Sequence, residues 1–268
     1  PYRRQRQMCI RDRSFKSDPS SEFQWAVSAN IGTYKTELTD LPSNVINKYA
    51  GDGVHDLILG RSPNSAYGLV ADGIFKTQEE VDAHADQPGK AVGRIRYKDL
   101  DGDGVINETY DRTWIGCYDP DFFGGLNFDF AYKGFDLNLF FEGMFGNDVN
   151  SDWKKESDIW LFTNPAWKNH ATRMLGGWSP DNPNSDIPAI SNNTANQEQR
   201  FSSWFIEDGS YIKLRNIELG YTFPTKLIKK MHMSNLRLYA AAYNVFTLKK
   251  FWGDDKYTSF DPERPSYH

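Results

Sequence analysis

The stretch Leu126–Gly143, "LNFDFAYKGFDLNLFFEG", decides the fold, because it holds two alternating runs around a short turn. Side chains of a strand point to opposite faces in turn, so each run would present one apolar face and one polar face. The two residues Lys133 and Gly134 separate the runs, which predicts a β-hairpin. Apolar residues take every second position of the two runs: Leu126, Phe128, Phe130 and Tyr132, then Phe135, Leu137, Leu139 and Phe141.

Period-two alternation also marks three further segments. Near Asn216 the alternation slips by one residue, which predicts a bulge or a strand end there. Each run is about as long as the ~10 residues that a tilted strand needs to cross a bilayer. The predicted strands lie near residues 23–37, 122–132, 135–146, 210–223 and 236–247.

The connections between these strands are of two very different lengths. The links at 133–134 and 224–234 are short, whereas those at 37–122 and 146–209 are very long and rich in Asn, Asp, Gly and Pro. Long loops on one side and short turns on the other are typical of outer-membrane barrels, and compact soluble domains rarely keep such loops. A secreted β-sandwich with long loops alternates in the same way and remains an alternative. No window approaches 18 consecutive apolar residues, which excludes a transmembrane helix.

The first thirteen residues, "PYRRQRQMCIRDR", differ from the rest of the chain. They carry five arginines and one aspartate without an apolar period, and "MCIRDR" looks like a translated sequencing adapter. We interpret residues 1–13 as an adapter scar and residues 14–268 as the protein proper; a basic N-terminal arm is the alternative. Without the scar, 26 Lys/Arg face 35 Asp/Glu and the net charge moves from −5 to −9. Such an acidic chain argues against nucleic acid as a partner.

Six motifs in this order resemble one family. They are "YGLVADGIFKTQEEVDAHADQPG", "GRIRYKDLDGDGVI", "DRTWIG", "PDFFGGLNFDFAYKGFDLNLFFEGMFGNDV", "RFSSWFIEDGSYIKLRNIELGYTFP" and "LRLYAAAYNVFTL". Together they resemble the C-terminal part of the SusC/RagA-type TonB-linked outer-membrane proteins of Bacteroidota. The resemblance covers the chain from about residue 23 to residue 246.

The resemblance carries expectations about fold and function. It implies an all-β fold, the C-terminal portion of an antiparallel transmembrane β-barrel of about 22 strands with long extracellular loops. It also implies import of oligosaccharides or peptides across the outer membrane, together with a SusD-like surface lipoprotein. The plug and the segment that engages the TonB complex would belong to an N-terminal part outside this chain. The strand directions then place both long loops on the extracellular side.

An acidic loop, "YKDLDGDGVINETYD" at residues 97–111, has the opening of a calcium-binding loop. Asp99, Asp101 and Asp103 would supply carboxylates at positions one, three and five, and Val105 a carbonyl at position seven. Position twelve, where a bidentate glutamate belongs, holds a tyrosine, so Asp111 would complete the site one residue late. We predict a calcium site here. The alternative is a loop of Asx turns that needs no ion.

Tryptophans are concentrated in the second long loop. Indole rings stack on sugar faces in binding sites, which makes these residues candidates for contact with a substrate or with the lipoprotein lid. The alternative, which we favour for any single residue, is an aromatic core that orders the loop, because an ordered loop must bury something. The candidates are Trp153, Trp160, Trp167, Trp178 and Trp204.

Catalytic motifs are absent from the sequence. The five histidines are scattered, with no His-Glu-x-x-His spacing, no Gly-x-Ser-x-Gly elbow and no phosphate-binding glycine loop. The adjacent carboxylates Glu79 and Glu80 lie in "TQEEVDAHAD", a pattern typical of a solvated helical turn. The sequence therefore predicts a protein that is not an enzyme.

Overall fold

The computed structural model describes residues 3–45, 57–159, 171–191 and 195–249. Strands dominate these ranges, and the few helices are short. None of the described helices is both long enough and apolar enough to cross a membrane. The strands are β1 (Arg3–Lys16), β2 (Phe23–Asp40), β3 (Ser65–Leu69), β4 (Ala71–Ile74), β5 (Ile95–Tyr97), β6 (Arg112–Cys117), β7 (Phe122–Tyr132), β8 (Phe135–Phe145), β9 (Asp148–Asn150), β10 (Ile206–Asp208), β11 (Tyr211–Thr222) and β12 (Arg237–Lys249); the α-helices are α1 (Gln78–Ala83), α2 (Asp152–Lys154) and α3 (Thr225–Ile228).

Six long strands form one antiparallel sheet in the order β1-β2-β7-β8-β11-β12. Five of them begin and end within three residues of the segments that alternation marks in the sequence. The β7–β8 turn has positive φ at both Lys133 (47°) and Gly134 (90°), as a two-residue hairpin requires. The register of β11 against both neighbours shifts between Leu214 and Asn216, so the predicted break in alternation is an irregularity within the strand and not a strand end.

One face of the sheet is apolar, and no described element covers it. Leu139 lies opposite Phe128 on β7 and Ile217 on β11, and Leu137 lies opposite Leu219. Because partners across a ladder share a face, these side chains make one continuous surface. None of these residues is buried, and Leu219 is 51% exposed. A β-sandwich would cover this face with a second sheet, so the structure disfavours that alternative.

The opposite face carries a hydrogen-bonded row of polar side chains across three strands. The Asn127 amide donates to Asp129 at 2.6 Å, and the Asn138 amide donates to Asp129 at 2.7 Å and to Asn127 at 3.0 Å. On β11 the Asn216 amide donates to Asn138 at 3.2 Å. The sheet is therefore apolar on one side and polar on the other, as a barrel wall between lipid and an aqueous lumen must be.

Strand β1 does not follow this division. Its register places Arg11 opposite Ile31 and Arg13 opposite Ala29, so both arginines lie on the apolar face. Ile10 and Met8 fall on the polar face and are more than half exposed. Backbone pairing alone accounts for this strand, since the edge of β2 offers donors and acceptors to any extended segment. The interpretation of residues 1–13 as an adapter scar remains a prediction.

Strand β2 continues far beyond its pairing with β7, although β1 accompanies it to its end. Gly32 is the last residue of β2 that pairs with β7, opposite Phe123, yet the strand runs on to Asp40. Near its tip, the Leu38 N–H donates to the Arg61 carbonyl at 2.9 Å, and the Gly60 N–H donates to the Leu38 carbonyl at 2.8 Å. The extension of β2 thus holds the start of the first long loop.

The two long loops fold together at this end of the sheet. We call residues 57–121 the first segment, residues 146–210 as far as they are described the second segment, and the two together the loop body. Three small sheets, β3–β6, β4–β5 and β9–β10, build it. Its buried core takes five residues from the first segment and two from the second: Leu69, Ile74, Ile95, Tyr97 and Ile106, then Ile159 and Phe205.

Candidate functional site

The acidic loop brings three of its predicted ligands together. One carboxylate oxygen from each of Asp99, Asp101 and Asp103 lies within 4.8 Å of the others. Asp101 and Asp103 are exposed and Asp99 is half-buried. Three oxygens at this spacing are suited to a hard cation such as calcium, which prefers carboxylate and carbonyl ligands.

The same carboxylates also cap the turns of their own loop. Asp99 accepts from the N–H groups of Gly102 at 2.7 Å and Gly104 at 2.9 Å. Asp103 accepts from the Val105 N–H at 2.7 Å. The Asp103 contact is an Asx turn of the kind that the alternative interpretation expects, and the Asp99 contacts close the same loop. Calcium binding at Asp99, Asp101, Asp103, Val105 and Asp111 remains a prediction.

Asp111 is not one of the three carboxylates that lie within 4.8 Å of one another, and its contacts are with backbone donors. It is fully buried, and its two oxygens accept from the Leu100 N–H at 2.8 Å and the Asn107 N–H at 2.7 Å. Both carboxylate oxygens are thus used to close the base of the loop from inside. The sequence places Asp111 near the site, but it does not reveal this backbone clasp.

The surroundings of the acidic loop shift the pKa values of two of its carboxyl groups in opposite directions. Desolvation acts to raise the pKa of Asp99, but the N–H groups of Gly104 and Gly102 outweigh it and lower the pKa below its usual value. The Asp103 N–H acts to lower the pKa of Asp101, whereas desolvation and the negative charges of Asp103 and Asp111 raise it overall. As the pH falls, Asp101 should therefore be protonated before Asp99.

Two of the predicted tryptophans pack against the core of the loop body. Trp178 and Trp204 are partly buried and contact the apolar cluster of the loop body. This placement agrees with the aromatic-core interpretation for these two residues. Trp153 lies in α2, whereas Trp160 and Trp167 lie outside the described residues. Contact of any of the five with substrate or a lid remains a prediction.

A buried ion pair lies beside Trp204 and was not evident from the sequence. The Lys154 amine is 3.7 Å from Glu207, donates to the Trp204 carbonyl at 2.6 Å and lies 4.9 Å from the centre of the indole ring. Burial lowers the pKa of Lys154 to about 8, and burial likewise raises the pKa of Glu207. Nothing in the sequence pairs a lysine on α2 with a glutamate on β10, because the contact depends on how the segments pack.

The paired carboxylates Glu79 and Glu80 belong to the first turn of α1. Thr77 caps this helix by accepting from the Glu80 N–H at 3.3 Å, and the Glu80 side chain accepts from the Lys76 N–H at 2.7 Å. This arrangement resembles a capping box, whose carboxylate serves to satisfy backbone donors. The pair therefore lies in a helical turn, as the sequence pattern predicts.

The chain has extensive similarity to curated relatives. It is 31% identical over 244 residues to TonB-dependent receptor P3 of Formosa agariphila, covering 88% of the chain and 23% of that protein. It is 28% identical over 253 residues to TonB-dependent receptor P26 of the same organism, covering 92% and 24%. It is 25% identical over 245 residues to TonB-dependent receptor SusC of Bacteroides thetaiotaomicron, covering 88% and 22%. No family model matches the chain.

Solved structures share the fold. A structure of the RagAB peptide transporter superposes with a TM-score of 0.69 at 23% identity, covering 94% of this chain and 26% of the other. The RagAB peptide importer in its open-open state gives a TM-score of 0.71 at 21% identity, covering 98% and 26%. At such identities the structures establish the fold alone. The chain thus spans about a quarter of the length of the proteins it matches.

The fold is that of a β-barrel wall, antiparallel and two-faced, with the architecture of TonB-dependent receptors. The sequence similarity narrows this class: the chain belongs to the TonB-dependent receptors of the SusC/RagA type. The sheet described here is open, as expected of a portion of a larger barrel.

Proposed function

We propose that the chain forms the C-terminal part of the barrel of an outer-membrane transporter that imports oligosaccharides or peptides with a SusD-like lipoprotein as its lid. The observation that supports this most is the match to TonB-dependent receptors over most of the chain. The uncovered apolar face is suited to lipid, and the polar row across β7, β8 and β11 is suited to a lumen. Energy would come through the TonB complex, which the N-terminal part of such a receptor engages.

The proposal concerns transport rather than catalysis. The relatives are named as receptors, and the solved neighbours are named as a peptide transporter and importer. Which substrate class this chain serves depends on the loops and on parts of a receptor outside it.

The transport proposal predicts where the protein is found and what it needs. A complete receptor carrying residues 23–249, expressed in a Bacteroidota host, should fractionate with the outer membrane and migrate in electrophoresis as a heat-modifiable barrel. Uptake of its substrate from a panel of labelled oligosaccharides and peptides should be lost when TonB is deleted. A receptor found in the soluble fraction, or uptake unchanged without TonB, would contradict the proposal.

We also propose that the acidic loop binds calcium, with support from the convergence of its three carboxylates. In a complete receptor, Asp101→Ala and Asp103→Ala should each weaken calcium binding by about tenfold or more, because each removes a charged ligand. Binding should also weaken as the pH falls through the raised pKa of Asp101, since the ligands must be ionised. Calcium titration by calorimetry measures both effects.

Tyr110→Ala is the control for this titration. Tyr110 occupies position twelve of the loop and is 54% exposed, and its ring offers calcium no strong ligand. Its removal should leave the affinity nearly unchanged. Absence of a calcium-dependent heat at millimolar ion, or a loss with Tyr110→Ala equal to that with Asp103→Ala, would refute the site.

A further inference from the structure

A buried polar network joins the two segments of the loop body. Arg94 donates to Glu198 at 2.8 Å, and both side chains are more than nine-tenths buried. The second carboxylate oxygen of Glu198 accepts from the Ile95 N–H at 2.9 Å. One glutamate of the second segment therefore satisfies both a buried cation and a backbone donor of the first.

Two amide side chains extend the network. Gln87 donates to the Ile95 carbonyl at 2.7 Å and to Asn196 at 2.6 Å, and accepts from the Tyr97 N–H at 3.0 Å. Asn196 donates to Glu198 at 3.1 Å and to the Ile95 carbonyl at 3.2 Å. Every member is buried, so separating the segments would strip several polar groups of their partners at once.

Backbone contacts reinforce the same junction. The Leu69 N–H donates to the Phe201 carbonyl at 3.1 Å, and the Ala189 N–H donates to the Gly93 carbonyl at 2.8 Å. Gly93 has φ of +81°, and a Cβ there would come within 2.7 Å of Trp178. The first segment thus needs glycine at this point both for its backbone conformation and for close approach of the second.

We propose that the two segments of the loop body form one cooperative unit, fastened by Arg94 and Glu198, which unfolds as a whole rather than loop by loop. Because the two segments share an apolar core, separating one of them exposes apolar side chains of the other. The buried ion pair adds a steep cost to partial separation, because removal of one partner leaves an unpaired buried charge. A ligand that binds to one segment would therefore change the stability of both.

Hydrogen exchange on a complete receptor carrying residues 23–249 tests the coupling. Glu198→Gln preserves the shape of the side chain and removes the charge that Arg94 requires. Amide protection in β3 and β5 of the first segment and in β9 and β10 of the second should fall together, by roughly ten- to a hundredfold. Protection in β7 and β8 should stay unchanged, which shows that the barrel wall is intact.

A second ion pair between the same segments supplies the matched control. Lys76 lies 2.7 Å from Asp186, but the Asp186 side chain is 83% exposed. Because exposed pairs contribute little, Asp186→Asn should change protection by less than about twofold. If Glu198→Gln prevents assembly, Arg94→Lys should give the same joint pattern with smaller amplitude. Loss of protection confined to one segment, or an equal effect of Asp186→Asn, would overturn the proposal.

Discussion

Leu139→Arg is expected to abolish assembly of a complete receptor in the outer membrane. Leu139 lies in the middle of the apolar face, opposite Phe128 and Ile217. An arginine on the lipid face at the bilayer midplane costs about 2–4 kcal/mol, and no neighbour on this face offers a counter-charge. The measurement is the amount of heat-modifiable barrel in outer-membrane fractions, compared with the unchanged receptor.

Asn127→Arg provides the control at similar depth on the other face. Asn127 already donates to Asp129 at 2.6 Å, so an arginine there would meet an acceptor instead of lipid. The receptor should still assemble. Equal loss from both substitutions, or normal assembly of Leu139→Arg, would show that this face does not contact the bilayer.

Asp111→Ala is expected to loosen the acidic loop whether or not calcium is present. The substitution removes both acceptors of the Leu100 and Asn107 N–H groups. Each such bond to a charged group contributes about 1.5–3 kcal/mol, so the loss should be roughly 3 kcal/mol or more. Hydrogen exchange at residues 99–111 in EDTA and again in calcium measures the effect.

Comparing exchange in EDTA with exchange in calcium shows whether Asp111 acts through its backbone contacts or as a metal ligand. If Asp111 holds the loop through its backbone contacts, its removal should increase exchange in EDTA as strongly as in calcium. Asp103→Ala, by contrast, should have its larger effect in calcium. An Asp111→Ala variant that differs from the unchanged receptor only when calcium is present would assign Asp111 to the ion and contradict the clasp.

The strands could be predicted because their signal is local. In a barrel wall each side chain faces either lipid or lumen, so alternation at positions such as Phe128 and Leu139 follows directly from the pleat. The hairpin turn could be predicted as well, because Gly134 adopts positive φ without strain. The convergence of Asp99, Asp101 and Asp103 could be predicted from their spacing, since the three residues lie within one short stretch.

The interior of the loop body could not be predicted in the same way. Arg94 and Glu198 are 104 positions apart in the chain, and no periodicity connects them. Asp111 shows the same limit on a smaller scale, because a carboxylate that closes a loop from inside has the same sequence spacing as a displaced ligand. In both cases the role follows from burial and partners, which depend on the packing of segments far apart in sequence.

The part of β2 that extends beyond its pairing with β7 sets the height of the loop body above β7. Leu38, which bonds to the first segment, lies six residues beyond Gly32, or roughly 20 Å at about 3.3 Å per residue. Adding or removing one residue between them would turn Leu38, now 7% exposed, to the opposite side of the strand. A change of two residues keeps the orientation of Leu38. The height of the loops would then change in steps of roughly 6.6 Å. In this chain the loops could therefore be raised or lowered only by whole pleats, unless a β-bulge took up an odd residue.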